Sequence, residues 1–218
     1  MAHFTVIGLG RFGITTSLEL IHLGHTVTGI DIDEKLTEQY ASDLTQTLIC
    51  DATDERAMAE LSLHDSEAVL VAIGEDMQAS LLCVLNLKNE NVHNVWVKAN
   101  SQAHHTILSK LNVARIIHPE EEMGVRVAQA LNYPMVNDYL SLGHGHYIVE
   151  VVIPATPRSL TLDGLINGFR DNIHCLMIKR RQTIHCSPDI DFSLETDDQV
   201  ILSGPRELLV KIAPRLSR

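Results

Sequence analysis

The stretch Phe4-Thr-Val-Ile-Gly-Leu-Gly-Arg-Phe-Gly13 decides the fold. Phe4 to Ile7 reads as a short strand. The glycines after it match G-x-G-x-x-G and lead into Ile14 to Leu23, a segment of helical period with Leu18 and Ile21 on one face. In that setting Gly8 permits a tight turn, Gly10 lets the backbone approach a phosphate, and Gly13 lets the helix pack closely on the strand. Arg11 and Phe12 stand between the second and third glycines. The helix N-terminus presents N–H groups to an anion. Asp31 ends the next strand, Thr26 to Ile30, eighteen residues after Gly13. A carboxylate there accepts hydrogen bonds from ribose hydroxyls and repels a 2′-phosphate, which argues for a nucleotide other than NADP.

Outward from this loop the same alternation continues. Apolar runs at Leu44 to Ile49, Ala68 to Ile73, Asn94 to Lys98 and Arg115 to His118 read as strands. Helical segments separate them at Lys35 to Ala41, Glu55 to Leu61, Met77 to Lys88 and Ala103 to Leu111. Strand and helix in turn mean βαβ units and a parallel sheet. Pro119, followed by three glutamates, is a helix start, since acidic side chains suit the positive end of the helix dipole. That helix is expected to break at Tyr133-Pro134, and Gly143-His-Gly-His146 reads as a linker. Beyond it come a strand at Tyr147 to Ile153, a helix at Leu160 to Phe169, strands at Cys175 to Lys179, Gln182 to His185 and Gln199 to Leu202, and a helix at Arg206 to Ile212. The expected fold is α/β: a Rossmann-like, doubly wound parallel sheet over residues 1–118, a crossover helix and linker over 119–143, and a small α+β domain over 144–218.

Composition removes several functions. Lys and Arg number 17 against 28 Asp and Glu, a net charge of −11. That disfavours nucleic acid, which needs a basic face, and electrostatic docking on anionic lipid. The longest apolar run, Ala68 to Ile73, is far short of the about 20 residues of a bilayer span. The N-terminus has no basic region before its first strand and does not read as a signal peptide. The four cysteines show no C-x-x-C spacing and read as reduced packing residues of a cytoplasmic protein; Cys50 reads as buried and inert.

The chemistry points to sensing rather than turnover. A P-loop is absent, and about 100 residues after the first domain are too few for a dehydrogenase substrate lobe. A pyrophosphate needs little extra cation, whereas a triphosphate benefits from a guanidinium such as Arg11. Neighbouring His104-His105 point about 100° apart on a helix and do not chelate one ion together. His144-x-His146 has no second pair to complete a metal site, and Ser-His-Asp catalysis lacks a G-x-S-x-G elbow.

Several stretches, taken in order, carry a family resemblance. They are Gly8 to Gly13, Gly24-His25, Ile30-Asp-Ile-Asp33, Asp51-Ala-Thr-Asp54, Val71-Ala-Ile-Gly74, Gln78-Ala-Ser80, Val95-Trp-Val-Lys-Ala99, Ile116-Ile-His-Pro-Glu120 and Met123-Gly124. The chain resembles the RCK (KTN) proteins that regulate potassium transport, in particular the cytosolic subunits of Ktr-type bacterial potassium uptake systems, which are related to the Trk regulators. Tyr147-Ile-Val-Glu-Val151 and Val200-Ile-Leu-Ser-Gly204 resemble the RCK_C domain more loosely.

The resemblance implies dimers assembled into an octameric ring beneath a membrane-embedded potassium transporter subunit. The ring would be cytoplasmic and peripheral, with no membrane insertion and no nucleic-acid partner. ATP and ADP would compete for the first site, with NAD(H) bound in some relatives. Arg11 would contact the terminal phosphates. Asp31 and Asp33 would hold the ribose, and Asp51, Ala52 and Thr53 would border the adenine. Ala72, Ile73 and Gly74 would line the cleft, and Lys98 would add positive charge. Glu120 would coordinate a cation at the dimer seam, a divalent ion (Mg or Ca) or Na, in competition with Glu121 and Glu122 for that role. Cyclic di-AMP, bound by the C-terminal lobe of some relatives, would meet Leu162 to Arg170, close to an unwelcoming acidic stretch at Asp189 to Asp198; a dimerisation lobe is the simpler reading. The alternatives are a Rossmann regulator of another cation channel or antiporter, and a small NAD-dependent oxidoreductase.

Overall fold

The computed structural model describes residues 1–132, 136–155 and 160–216. The chain divides into two compact units, Met1–Pro119 and Glu120–Arg218.

The first unit carries strands β1 (His3–Ile7), β2 (Thr26–Asp31), β3 (Gln46–Ile49), β4 (Ala68–Val71), β5 (Val95–Lys98) and β6 (Arg115–Ile117). All are parallel, in the order β3-β2-β1-β4-β5-β6. Helices cover both faces. α1 (Arg11–His22) and α2 (Glu34–Gln39) pack over Val6, Val27, Leu9 and Leu44, with Ile14 of α1 buried among them. On the other face α3 (Glu55–Ala59), α4 (Met77–Asn89) and α5 (Gln102–Lys110) bury Met58, Cys83, Leu87 and Leu108 against Ile7, Ile30, Val69, Val71 and Val97. Successive strand residues face opposite sides, so Val6 and Ile7 serve different cores. Both are buried because parallel sheets are covered twice. The helix starts are well formed. Asp33, Asp54, Asp76 and Ser101 each accept a hydrogen bond from a first-turn backbone N–H. Asp54 is thus the cap of α3. β4 stops at Val71 rather than Ile73, because Ala72 to Gly74 turn away as the wall of a crevice.

α6 (Pro119–Asn132) starts at the expected proline, the last residue of the first unit, and runs on into the second. The expected break at Tyr133-Pro134 lies outside the described residues. The sheet that follows has the order β11-β10-β13-β8-β7 and is antiparallel. Its strands are β7 (Val136–Gly143), β8 (His146–Val152), β10 (His174–Arg180), β11 (Thr183–Cys186) and β13 (Gln199–Pro205). A two-stranded ribbon pairs β9 (Leu160–Thr161) with β12 (Ser193–Leu194).

Gly143-His-Gly-His146 is not a linker. It forms the tight turn of the β7–β8 hairpin, with Gly143 paired to His146, so the antiparallel sheet starts at Val136. The helix expected from Leu160 is the five-residue α7 (Leu162–Ile166), preceded by β9 and capped by the Thr161 hydroxyl. The expected last helix is two short ones, α8 (Arg206–Leu209) and α9 (Ala213–Leu216). The core is Val149, Val151, Leu165, Ile173, Ile178, Val200, Leu202 and Ile212. At its edge Arg180 donates to both oxygens of Asp198, to Glu195 and to the Ser193 carbonyl, with its guanidinium over Phe192.

Among the described residues, no helix is long and apolar enough to cross a membrane, and no group of three or more His, Cys, Asp or Glu could hold a metal ion.

Candidate functional site

In an open parallel sheet, ligands bind outside the strand C-termini where the chain reverses direction of winding. Here that point lies between β1 and β4. One wall is the β1–α1 turn. Gly8 adopts φ +97°, which only glycine takes at ease, and donates its N–H to Ile30 O at 2.8 Å. A Cβ on Gly13 would overlap the Gly8 carbonyl oxygen, so α1 sits against the turn as closely as glycine allows. Gly10, the N-cap of α1, is the opposite case. A Cβ there would meet nothing within 4 Å. The space over Gly10 and the first N–H groups of α1 form an open cradle suited to phosphate oxygens. Arg11 begins the helix with an exposed side chain, and Phe12 turns inward against the Val6 and Val27 core.

The other wall is Ala72-Ile73-Gly74. Gly8 reaches it directly, since a Cβ on Gly8 would stand 3.1 Å from the Ala72 carbonyl carbon and the Ile73 nitrogen. Ala72 N donates to Ile7 O, which ties this wall to β1. Lys98, at the end of β5, lies over the same place. Its Nζ is 2.9 Å from the position of a Gly74 Cβ and 5.8 Å from the Phe12 ring centroid. Residues from three separate loops therefore meet at the crevice.

Asp31 Oδ2 accepts from Leu9 N at 2.6 Å and its Oδ1 from Asp33 N at 2.9 Å. One carboxylate thus ties the glycine turn to the end of β2. A carboxylate offers about four acceptor positions, so two backbone bonds leave room for hydroxyl donors. Asp33 accepts from Lys35 N and caps α2. Asp51 accepts from both the backbone N–H and the hydroxyl of Thr53, closing a small turn after β3, and Ala52 is buried with its carbonyl held by Asn86. Cys50 N donates to Asp31 O, which brings this turn beside the β2 end. Glu120 stands in the first turn of α6, exposed and in the second unit.

Removing the Asp31 carboxylate should loosen the turn without any ligand. Asp31→Ala leaves the Leu9 and Asp33 amides without their charged acceptor, a loss of about 2 kcal/mol on the scale of charge-assisted bonds. The urea midpoint of the first unit, followed by Trp96 fluorescence, should fall accordingly. An unchanged midpoint would show that these bonds carry no net stability.

Asn100 of this neighbourhood went unread in the sequence, and His104 was read only as half of a histidine pair. Asn100 donates from Nδ2 to the Gly74 carbonyl at 2.9 Å, and Asn100 Oδ1 lies 3.1 Å from His104 Nδ1. Nothing in a single Asn after a strand signals this. The paired histidines do diverge: His104 turns inward to Asn100, and His105 Nδ1 meets His118 Nε2 at 2.8 Å in a stacked pair. The Cys50 thiol is pushed up by burial and by the charges of Asp51 and Asp54, and burial pushes the Cys83 thiol up to about 12, so neither is a ready nucleophile.

Comparison with known proteins agrees with this geometry. Residues 4–119 match the TrkA-N domain family model. The chain is 37% identical over 204 residues to the Ktr system potassium uptake protein A of Bacillus subtilis (strain 168), which covers 94% of this chain and 92% of that protein. It is 36% identical over 206 residues to the Ktr system potassium uptake protein A of Vibrio alginolyticus, covering 94% of each. Among solved structures, the GsuK channel bound to NAD aligns with 99% of this chain and 39% of its own, at a TM-score of 0.60 and 12% identity, a likeness of fold.

Proposed function

The chain belongs to the TrkA-N domain family and to the Ktr-type RCK proteins within it, and on that premise we propose that it is the nucleotide-sensing regulatory subunit of a bacterial potassium uptake transporter. The crevice carries the proposal: open space over Gly10, an exposed arginine at the helix start, Lys98 at the facing wall and Asp31 behind the turn. ATP or ADP is the ligand that fits this combination of cations and a ribose-binding carboxylate, with NAD(H) competing for the same place. In this reading residues 1–118 are the nucleotide domain, α6 is the crossover segment, and the RCK_C domain takes in β7 from Val136 onward rather than starting at residue 144. Dimers assemble into an octameric ring on the cytoplasmic face, attached to the membrane through the transporter subunit. Glu120 supplies a carboxylate to a divalent cation (Mg2+ or Ca2+) or Na+ at the dimer seam. The protein binds its nucleotide and does not turn it over.

A ligand shifts a conformational equilibrium only through its different affinity for the two states. ATP and ADP share adenine, ribose and two phosphates, so their different effects must come from the γ-phosphate and its partners. We assign that contact to Arg11, since a guanidinium is suited to bind a phosphate by paired hydrogen bonds.

The test is a thermal-shift and calorimetric panel of ATP, ADP, NAD and NADH. Preference for ATP and ADP supports the proposal. Stabilisation by NADH alone, with hydride transfer to a carbonyl, would replace it with an oxidoreductase. Arg11→Ala should weaken ATP about 10- to 150-fold and leave ADP nearly unchanged, the range expected for one charge-assisted contact. Reconstituted with its transporter, the same variant should lose ATP-stimulated potassium flux. A variant that still prefers ATP and transports normally would refute Arg11 as the discriminator.

A further inference from the structure

Asn100 lies between β5 and α5, outside the crevice itself. Its amide nitrogen is committed to the Gly74 carbonyl, so its Oδ1 must accept. That oxygen faces the Ser101 hydroxyl at 3.2 Å and His104 Nδ1 at 3.1 Å. The shorter contact assigns the imidazole proton to Nδ1; the Asn100 backbone N–H, 3.4 Å from the same nitrogen, could donate to it only in the other tautomer and is not bonded to it in this one. The other nitrogen, Nε2, is left bare. His104 is fully buried, and Nε2 has no hydrogen-bond partner among the described residues.

An orphaned buried nitrogen is a cost that a leucine of similar size would avoid. Packing alone does not account for an imidazole here, whereas its Nδ1–H does. With that bond made, the Asn100 amide cannot flip, and the Gly74 carbonyl is held from outside the site. Gly74 in turn lies beneath the Lys98 ammonium and continues the wall that Gly8 touches. Burial, and then the charge of His118, lowers the basicity of His104, in keeping with a neutral ring of fixed tautomer.

We infer that Asn100 and His104 are positioning residues for the nucleotide, His104 acting through Asn100 to fix the Gly74 wall and the Lys98 amine above it. The inference rests on the reading of this crevice as a nucleotide site.

Stability and affinity should separate in opposite directions. In the full chain, His104→Leu should keep or raise the ligand-free melting temperature and weaken ADP and ATP several-fold. His104→Asn, whose side-chain N–H can stand where Nδ1 stands, should melt lower because it is smaller, and bind as the wild type does. Asn100→Leu should weaken both nucleotides about tenfold, the worth of a hydrogen bond to a fixed carbonyl. Amide exchange over residues 72–75 should quicken in His104→Leu and Asn100→Leu and not in His104→Asn. If Asn100→Leu does not fold, the two His104 variants decide alone. Wild-type affinity in His104→Leu, or unchanged exchange over 72–75, would overturn the inference. Failure of the wild type to bind any adenine nucleotide would instead overturn the functional reading, and the exchange measurement would still judge the positioning.

Discussion

Gly13→Ala is expected to abolish nucleotide binding and to lower the melting temperature of the first unit by about 10–20 °C. The new methyl would overlap the Gly8 carbonyl oxygen, a backbone atom that cannot swing aside as a side chain can. α1 must move off β1, or the turn must open. Either change costs about 3 kcal/mol, the upper range for forced overpacking, and each kcal/mol is worth about 3–6 °C in a unit of this size. Gly10→Ala is the control. Its methyl meets no protein atom, so stability should change by less than about 1 kcal/mol, while nucleotide affinity falls because the methyl takes phosphate space. Trp96 is the sole tryptophan and lies in β5, so its fluorescence reports on the first unit. A Gly13→Ala protein with a wild-type Trp96 transition and intact ATP binding would refute the close approach of α1 to the turn.

Asp198→Ala should be as damaging to the second unit. The carboxylate is 1% exposed and takes two bonds from Arg180 and one from Glu195 N. Breaking such a pair strands a cation whose partners were arranged around it, at a cost of about 3–5 kcal/mol. Arg180 is partly exposed, which favours the lower figure. Burial alone would raise the Asp198 pKa; the bonds from Arg180 and the Glu195 amide, with the charges of Arg180 and His185, outweigh it and hold the group below the ordinary carboxylate range. A depressed pKa means stability present above the unfolded-state value of about 4 and lost as pH falls through the folded one. The gap between wild type and Asp198→Ala should be full at pH 7 and shrink in acid. Far-UV circular dichroism should show the destabilisation while the Trp96 transition stays in place. Equal stability of the two proteins at pH 7 would mean that the Arg180 cluster is only a surface feature.

The first unit was legible because its signals are local and repeated. Each strand is a run of three to six residues with apolar members, and Asp33, Asp54, Asp76 and Ser101 mark helix starts in the sequence itself. The glycine turn and Asp31 were readable for the same reason, since their spacing follows from the βαβ unit. The second unit was read less well. Gly143-His-Gly145 suits a flexible tether as well as a tight hairpin turn, and only the pairing of β7 with β8 tells them apart. Two-residue strands such as β9 and β12 have no period to detect. Asn100 and His104 stayed hidden because their role depends on which loops the sheet brings together. Glu120 is a different case: its helix-start setting is visible in the sequence, and a role at a seam depends on a second protomer.

β1 is paired on one side with β2 and on the other with β4, Ile7 opposite both Ile30 and Val71. During synthesis, β1 and β2 can pair long before β4 has left the ribosome. The nascent chain thus holds a complete glycine turn with half of its surroundings missing, and the exposed side of β1 is an open parallel edge waiting for residues 68–71. Joining it requires closing a long loop, a slow step for a parallel sheet. Nucleotide capture should therefore begin as an abrupt event once residues beyond Gly74 have emerged, and truncations ending before β4 should bind nothing.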